Sequence, residues 1–281
     1  MTFSIVGFDP NEKEWGIAVQ SKFLGVGAVV PFAKAGVGAV ATQSFANTSY
    51  GPMALQLIEQ GKTAQEALEL ITKDDQQKGL RQVGIIDVNG NPATFTGASC
   101  YEWAGGIVGP YFAAQGNILV DERTVQAMAK TFESSKGALA DRLLAALDAG
   151  QQAGGDSRGQ QSSALLIVKE KGGYGGFNDR YIDLRVDDHP EPIKELMRIY
   201  QLQQLYFAPA KAKNIVQIEG EVKTELAREL IRLQYIESDY NEEQLLNGLT
   251  AYIHKENFEA REQTRGKMDL DLLAHMKKQK Q

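Results

Sequence analysis

The order of strand-like and helix-like segments constrains this fold more than any other feature of the sequence. Groups of short, apolar and β-branched segments are separated by two pairs of amphipathic segments with helical spacing. The predicted strands lie at 1–8, 15–21, 81–87, 92–97, 163–168 and 181–186, and the predicted helices lie at 52–60, 63–71, 122–133 and 138–149. Two sheets that face each other, with one helix pair outside each, fit this order.

The stretch 23–43 adds strands to this pattern. It is rich in glycine and valine, which favours two buried strands broken near Pro31 and Gly36 over a helix. Lys34 is the only charged residue within it. A lone lysine in an apolar run either reaches solvent from a strand end, which is the commoner case, or serves a function.

A change of composition after about residue 207 indicates a second domain. Residues 208–213 combine alanine, lysine and proline as linkers do, and the charged remainder carries helix-like segments at 225–233 and 242–252. The sequence therefore predicts a first domain at 1–206, a linker at 207–216 and a small, mainly helical domain at 217–281.

Composition and charge argue against several functional classes. The 281 residues carry a net charge of −6, so the chain lacks the basic surface that nucleic acids or anionic lipids require. We see no membrane span and no signal peptide, and we expect a cytoplasmic protein. Three histidines far apart and one cysteine predict neither a metal site nor another cofactor. Cys100 reads as a small buried hydrophobe, and a thiol nucleophile at this position is the weaker alternative.

Thr2 opens the first predicted strand. If Met1 is removed, the hydroxyl and the α-amine of Thr2 lie on one residue. An α-amine has a pKa of about 7.7–8.0, so it can act as the base for that hydroxyl near neutral pH. The opposing interpretation is that Met-Thr is a common start and that the segment is only a strand.

Three further stretches concentrate polar residues. Gln115-Gly116-Asn117 leads toward a helix, where backbone amides can hold an oxyanion, although a plain turn is the simpler interpretation. Residues 154–162 place Asp156, Arg158 and several amides and hydroxyls at a strand end, either as a site or as a braced loop. Asp183 and Arg185 share one face of a strand, which a solvated edge explains best.

These stretches together resemble one bacterial family, domain-of-unknown-function family number 1028. The resemblance rests on several motifs in order, over roughly residues 2–206. The matching segments are 2–6, 18–21, 36–43, 81–84, 115–117, 153–162 and 183–189. The segment from about 217 to 278 resembles a peptidoglycan-binding-like domain often appended to that family, which a helical packing or dimerisation module would explain equally well.

The resemblance implies a fold and a set of site residues. It implies an α+β fold, a four-layer α-β-β-α sandwich of the N-terminal-nucleophile hydrolase type. Thr2 would align with the nucleophile, Lys34 with the lysine that tunes it, Asn117 with the oxyanion loop, and Asp156 and Ser162 with supporting residues. We expect substrate contacts from polar residues of the matching segments, namely Ser4, Gln20, Ser21, Gln43, Gln115, Gly116, Arg158, Gln161, Asp183 and Arg185.

The leading prediction is therefore an amide hydrolase that cleaves the C–N bond of a small amide or amino-acid derivative without a cofactor. The alternative is a non-catalytic ligand-binding or scaffold protein that keeps the sandwich. Three departures bear on this choice. Gln20-Ser21-Lys22 replaces an Asp-containing turn of the proteasome-type branch, and Asn117 replaces a serine. Met1, if it is retained, would block the amine mechanism. We expect a small-molecule partner and a homo-oligomer, and no nucleic acid or membrane partner.

Overall fold

The computed structural model describes residues 2–280 and has mixed α and β content, as predicted. The strands of the first part are β1 (Thr2–Asp9), β2 (Glu14–Ser21), β3 (Pro31–Lys34), β4 (Gly38–Ser44), β5 (Arg81–Ile86), β6 (Pro92–Thr96), β7 (Gly105–Gly109), β8 (Phe112–Asn117), β9 (Ser162–Val168) and β10 (Arg180–Val186). Its helices are α1 (Tyr50–Glu59), α2 (Ala64–Lys73), α3 (Arg123–Ser134), α4 (Leu139–Gln152) and α5 (Pro192–Phe207). Contacts divide the chain into two compact units between Arg198 and Ile199.

The first unit contains two antiparallel sheets. The larger has the strand order β10-β9-β2-β1-β8-β7, and the smaller has the order β3-β4-β5-β6. β1 therefore lies between β2 and β8 at the centre of the larger sheet. Alternation sends Val6 and Phe8 of β1 toward the smaller sheet, where they join one apolar core with Ala39, Ala41 and Ile86.

Helices cover the outer face of each sheet. α1 and α2 pack on the smaller sheet through an apolar core that includes Val40, Val83 and Ile85. α3 and α4 pack on the larger sheet, where Gly7 and Gly16 allow a close approach. A Cβ on Gly16 would lie only 2.7 Å from a methyl carbon of Leu143, so a larger residue here would push α4 away.

The second unit, from Ile199 to the end of the described chain, is mainly helical, as predicted. It contains α6 (Gly220–Arg232), α7 (Glu242–Lys255) and α8 (Leu270–Met276), with two short paired strands, β11 (Ile215–Gln217) and β12 (Lys267–Asp269). Leu226, Leu245, Tyr252 and Phe258 are fully buried in its core. None of the helices within residues 2–280 is both long and apolar enough to cross a membrane.

Two local predictions need correction. The stretch before Pro31 is not a strand, because Gly25 adopts a left-handed conformation and residues 26–28 form a 3₁₀ turn. Only the second half of that stretch forms strands, β3 and β4. The predicted linker at 207–216 is shorter than expected, because its last two residues already belong to β11, which is held by backbone pairing to β12.

Candidate functional site

Thr2 lies at the first position of β1, with a neighbouring strand on each side. The register pairs it with Ser21 at the end of β2 and with Asn117 at the end of β8. Its Oγ1 lies 3.1 Å from Ser21 Oγ, and either hydroxyl can be the donor. Thr2 is only 5% exposed, because the smaller sheet covers this end of β1.

Amide side chains from both sheets surround the Thr2 backbone. Gln43 Nε2 on β4 donates to Thr2 O at 3.2 Å, and Asn117 Nδ2 donates to the same oxygen at 3.4 Å. The same two nitrogens also donate to Gln82 Oε1 on β5, each at 2.8 Å. Gln82 therefore joins the two sheets through one shared acceptor.

Ser4 extends the network one step along β1. Its hydroxyl donates to Gln43 Oε1 at 2.6 Å and accepts from Gln115 Nε2 at 2.7 Å. The Gln115 side chain packs against Gly84 of β5. A Cβ on Gly84 would lie only 2.1 Å from Gln115 Oε1. Gly84 thus provides the space that a buried glutamine needs between the sheets.

The sequence did not point to Gln82 as a site residue, yet it makes the most contacts in this network. Its Nε2 donates to Thr96 Oγ1 at 2.9 Å, to Gly105 O at 3.2 Å and to Gly116 O at 2.7 Å. A usable signal was present, since Gln82, Gly84 and Ile86 alternate along β5 and must share one face. Recognising Gln82 as buried would have required the pairing of the two sheets.

The side chains that hydrogen-bond to Thr2 in the described residues are hydroxyls and amides. Ser4, Gln43, Gln82 and Gln115 are at most 1% exposed, and amides and hydroxyls do not titrate near neutral pH. Hydrogen bonds offset much of the cost of burying these groups, although Gln115 Oε1 has no hydrogen-bond partner in the described structure. None of these four side chains is a base. Met1, whose removal would free the Thr2 amine, lies outside the described residues.

Asp156 and Ser162 brace the turn that follows Ser21. Asp156 accepts from the Lys22 backbone N–H at 3.0 Å and is held by Arg158 at 3.3 Å. Ser162, opposite Ser21 in the register, donates to Phe23 O and accepts from the Val26 N–H at 3.1 Å. These predicted supporting residues contact the loop rather than the Thr2 hydroxyl.

Two predicted substrate contacts point elsewhere. Gln161 donates its backbone N–H to Ser21 O at 3.1 Å, but its side chain donates to Asp188 at 3.1 Å. Gln20 pairs with Phe3 and so faces the α3–α4 side of the sheet, away from Thr2. Both polar atoms of the Gln20 side chain are buried there without a hydrogen-bond partner.

The structure does not bring Lys34, Asp183 and Arg185 to Thr2. Lys34 ends β3 opposite Gly38, whereas the Gln43 that contacts Thr2 is near the other end of β4. The Lys34 amine is paired at 2.5 Å with Glu59 of α1, and half of its side chain is exposed. Asp183 and Arg185 lie on β10, the edge strand of the larger sheet. The predicted tuning of Thr2 by Lys34 therefore lacks the required proximity.

Cys100 is buried, and its thiol contacts Arg81 O at 3.4 Å. No group of three or more histidine, cysteine or acidic side chains in the described part of the chain is arranged to hold a metal ion. The chemistry available at the Thr2 end is accordingly that of hydroxyls and amides.

Comparison with known sequences identifies the family of the first unit. A model described as "Family of unknown function (DUF1028)" matches residues 2–196. The chain belongs to this family. A second model, described as "Putative peptidoglycan binding domain", matches residues 206–276. Both matches confirm the resemblances drawn from the sequence motifs. A search of curated proteins finds no match.

Solved structures agree with the family assignment. A crystal structure of a DUF1028 protein, SPO2555 from Silicibacter pomeroyi, is 29% identical with a TM-score of 0.66, and the match covers 79% of this chain and 92% of that one. Anbu (ancestral beta-subunit) from Yersinia bercovieri is 11% identical with a TM-score of 0.32, over 72% of this chain and 94% of that one. The second likeness is too weak to bear on the fold.

Proposed function

We propose that the first unit is a four-layer sandwich of the N-terminal-nucleophile type and that it hydrolyses a small amide at Thr2. The observation that carries the proposal is the position of the Thr2 hydroxyl. It lies at the first position of the central strand, 3.1 Å from the Ser21 hydroxyl, and the Asn117 amide donates to the carbonyl oxygen of the same residue. A hydroxyl nucleophile on a residue that also contacts an amide donor has neighbours that acyl transfer can use.

The reaction uses groups that Thr2 and its neighbours supply. Thr2 Oγ1 attacks the amide carbon, and its proton passes to the free Thr2 amine. Asn117 Nδ2 donates to Thr2 O over a long distance of 3.4 Å. This amide exchanges that weak hydrogen bond for one to the oxyanion of the tetrahedral intermediate. The C–N bond then breaks, and the leaving amine takes the proton back. Water hydrolyses the ester on Thr2 and regenerates the hydroxyl.

Lys34 has no step in this scheme, since Glu59 holds it in an exposed pair. Asp156 and Ser162 act on the 22–26 turn and hold Ser21 in place, rather than reacting. Gln82 orients the Asn117 amide, because its Oε1 accepts from Asn117 Nδ2 at 2.8 Å. The expected homo-oligomer, cytoplasmic location and ligand of the second unit stay predictions.

A screen of fluorogenic small amides, run on protein whose Thr2 amine is free, tests the proposal. Thr2→Val keeps the shape of the side chain and removes the hydroxyl, so it should lower kcat by about a thousandfold or more. Thr2→Ser keeps a hydroxyl and should retain measurable turnover. Full activity of Thr2→Val on any hydrolysed amide would refute the assignment of the nucleophile.

One observation favours a second candidate, a ligand-binding protein without catalysis. The Thr2 side chain is almost fully buried among neutral groups, and no lysine or acid contacts its hydroxyl in the described structure. Tight binding of an unaltered metabolite by protein that retains the residue before Thr2 would support this candidate over hydrolysis.

A further inference from the structure

A cleft lies apart from Thr2, on the side of the first unit where both sheets end in edge strands. The larger sheet ends at β10 and the smaller at β3, and β3 packs on β2 and β9 rather than on β10. The space beyond β3 has a volume of about 510 Å³. Binding sites for small molecules commonly have volumes of about 300–1,000 Å³.

The floor and one wall of this cleft are apolar. β3 contributes Phe32, α1 contributes Leu55, and β9 contributes Leu166 and Val168. The Phe32 ring lies directly on Gly51, where a Cβ would come within 2.2 Å of the ring. The ring is thereby held in the wall, and a flat apolar group can pack against the same surface.

The charged side chains at the cleft carry more positive than negative charge. Lys34, Arg180 and Arg185 line the cleft together with a single carboxylate, that of Glu59. Asp183 supplies the second carboxylate and is shared by both arginines, with Arg180 Nη1 at 2.7 Å and Arg185 Nε at 3.1 Å. Three cations thus face two carboxylates. Each guanidinium has five N–H donors, and each uses only one of them in its pair with Asp183.

The position of Arg185 is also fixed by its surroundings. Its aliphatic stem lies over Gly27, where a Cβ would come within 3.0 Å of Arg185 Cγ and Cδ. Exposed ion pairs contribute little to stability, so a ligand can rearrange them at small cost. A guanidinium with free donors beside an apolar wall is suited to the carboxylate of an amphipathic molecule.

We propose that this cleft binds a small amphipathic organic carboxylate. Its apolar body lies against Phe32, Leu55 and Leu166, and its carboxylate accepts hydrogen bonds from Arg180 and Arg185. The site uses three residues that the sequence singled out and the Thr2 site leaves unused, namely Lys34, Asp183 and Arg185. It does not depend on hydrolysis at Thr2.

Calorimetric titration of the full chain with 4-phenylbutyrate tests the proposal. We expect saturable binding at one site, and about tenfold weaker binding of the neutral 4-phenylbutanamide, because the amide gives up the charged contact with the arginines. Thr2→Val should bind 4-phenylbutyrate as the parent does, so that a failure of the hydrolase proposal stays separate from a failure of this one.

Two variants, each with a matched control, locate the site. Arg185→Gln keeps much of the stem over Gly27 but removes the charge, and it should weaken 4-phenylbutyrate about tenfold or more. Arg123→Gln, in a comparable exposed pair with Asp121 on another face, should not. Gln56→Trp places an indole in the cleft from an exposed position of α1 and should abolish binding of 4-phenylbutyrate. Gln65→Trp, at an exposed position of α2 outside the cleft, should leave this binding intact.

The proposal is overturned if 4-phenylbutyrate shows no saturable binding at about millimolar concentration. Equal affinity for the acid and its amide would also overturn it, because the arginines would then have no role. Unchanged binding by both Arg185→Gln and Gln56→Trp would place the ligand elsewhere and have the same effect.

Discussion

At the scale of single residues, neutral polar side chains that hydrogen-bond to one another surround Thr2 at its end of the sheets. Gln43, Gln82 and Asn117 share acceptors across the two sheets, with bonds of 2.8 Å at Gln82 Oε1. A charged residue in this place would carry a large desolvation cost, whereas amides carry little once they are hydrogen-bonded. The network therefore holds the Thr2 backbone through hydrogen bonds from neutral amides.

The tight fit of Gln115 against Gly84 gives the first prediction. Gly84→Ala places a methyl group 2.1 Å from Gln115 Oε1 and should destabilise the protein by about 1–3 kcal/mol in urea unfolding. A Gln115→Ala change in the same background removes the clash. The double variant should then lose less stability than the sum of the two single changes. If the loss of stability of the double variant equalled the sum of the two single losses, Gly84 and Gln115 would not be in steric contact.

The residues at Thr2 were partly predictable from sequence. Ser4, Gln43, Gln115 and Asn117 were named as site residues because they lie in recognisable motifs, and the structure brings all four together around the head of β1. Lys34 was named by the same reasoning and lies elsewhere, because a motif gives the order of residues but not which end of a hairpin faces the site.

At the scale of elements, local capping chemistry fixes where helices begin. Thr63 Oγ1 accepts from the Glu66 N–H, and Glu66 accepts from the Thr63 N–H, so a capping box begins α2. Asn241 and Gln244 form the same box at α7, with the same spacing in sequence. That second box was readable from the sequence, since asparagine and glutamine can replace threonine and glutamate in it.

The α2 cap gives the second prediction. Thr63→Ala removes the side-chain acceptor for the Glu66 N–H and should lower the free energy of unfolding by about 1 kcal/mol. Thr63→Ser keeps the hydroxyl and should cost much less. Denaturant melts of the three proteins measure both effects, and equal stability of all three would contradict the role of the cap.

The third prediction concerns pH and rests on the ion pair between Asp75 and Arg81. The Tyr50 hydroxyl of α1 also donates to Asp75. Hydrogen bonds from Arg81 and from the Tyr50 hydroxyl hold the pKa of Asp75 well below its usual range. A depressed carboxyl pKa adds stability that is complete above the unfolded pKa of about 3.9 and is lost as the pH falls below it. The stability gap between wild type and Asp75→Asn should therefore be larger at about pH 7 than at about pH 3.

Urea unfolding of wild type and Asp75→Asn at both pH values measures this gap. A gap of the same size at both would mean that the Asp75 pKa is not depressed in the folded protein. A gap that widens in acid would reverse the sign of the argument, since a depressed carboxyl pKa can only remove stability as protons are added.

At the scale of the whole molecule, each of the two units has its own apolar core residues. The core of the second unit contains a buried ion pair between Arg261 and Asp269 at 2.7 Å, with the side chains 4% and 0% exposed. Arg261 also donates to Leu205 O at 2.6 Å and to Gln204 O. The end of α5, which belongs to the second unit, is thereby held to Arg261 of the same unit.

This buried pair gives the fourth prediction. Arg261→Ala leaves the Asp269 carboxylate buried without its partner and should destabilise the second unit by about 3–5 kcal/mol. Hydrogen exchange of the amides in α6–α8 measures the change directly. Arg265→Ala is the control, because Arg265 is exposed and donates to the amide oxygen of exposed Asn247 rather than to a buried carboxylate. Equal protection in both variants would contradict the importance of the buried pair.

The division into strands, helix pairs and a helical tail was largely predictable, because periodicity and turn residues act locally. Gln82 and the cleft beside β10 were not, because each depends on which residues of separate sheets lie opposite one another. β3 and β10 are edge strands because of the order in which the strands of each sheet pair. No local pattern carries that information.

The central claim is that the Thr2 amine is free and serves as the base for its own hydroxyl. The intact mass of the protein, purified without a tag on its N-terminal side, tests this most directly. We expect a mass lower than that of the full sequence by one methionine residue, with Thr2 as the first residue. A mass that retains the residue before Thr2 in active protein would contradict it, because an amide nitrogen at that position cannot take the proton.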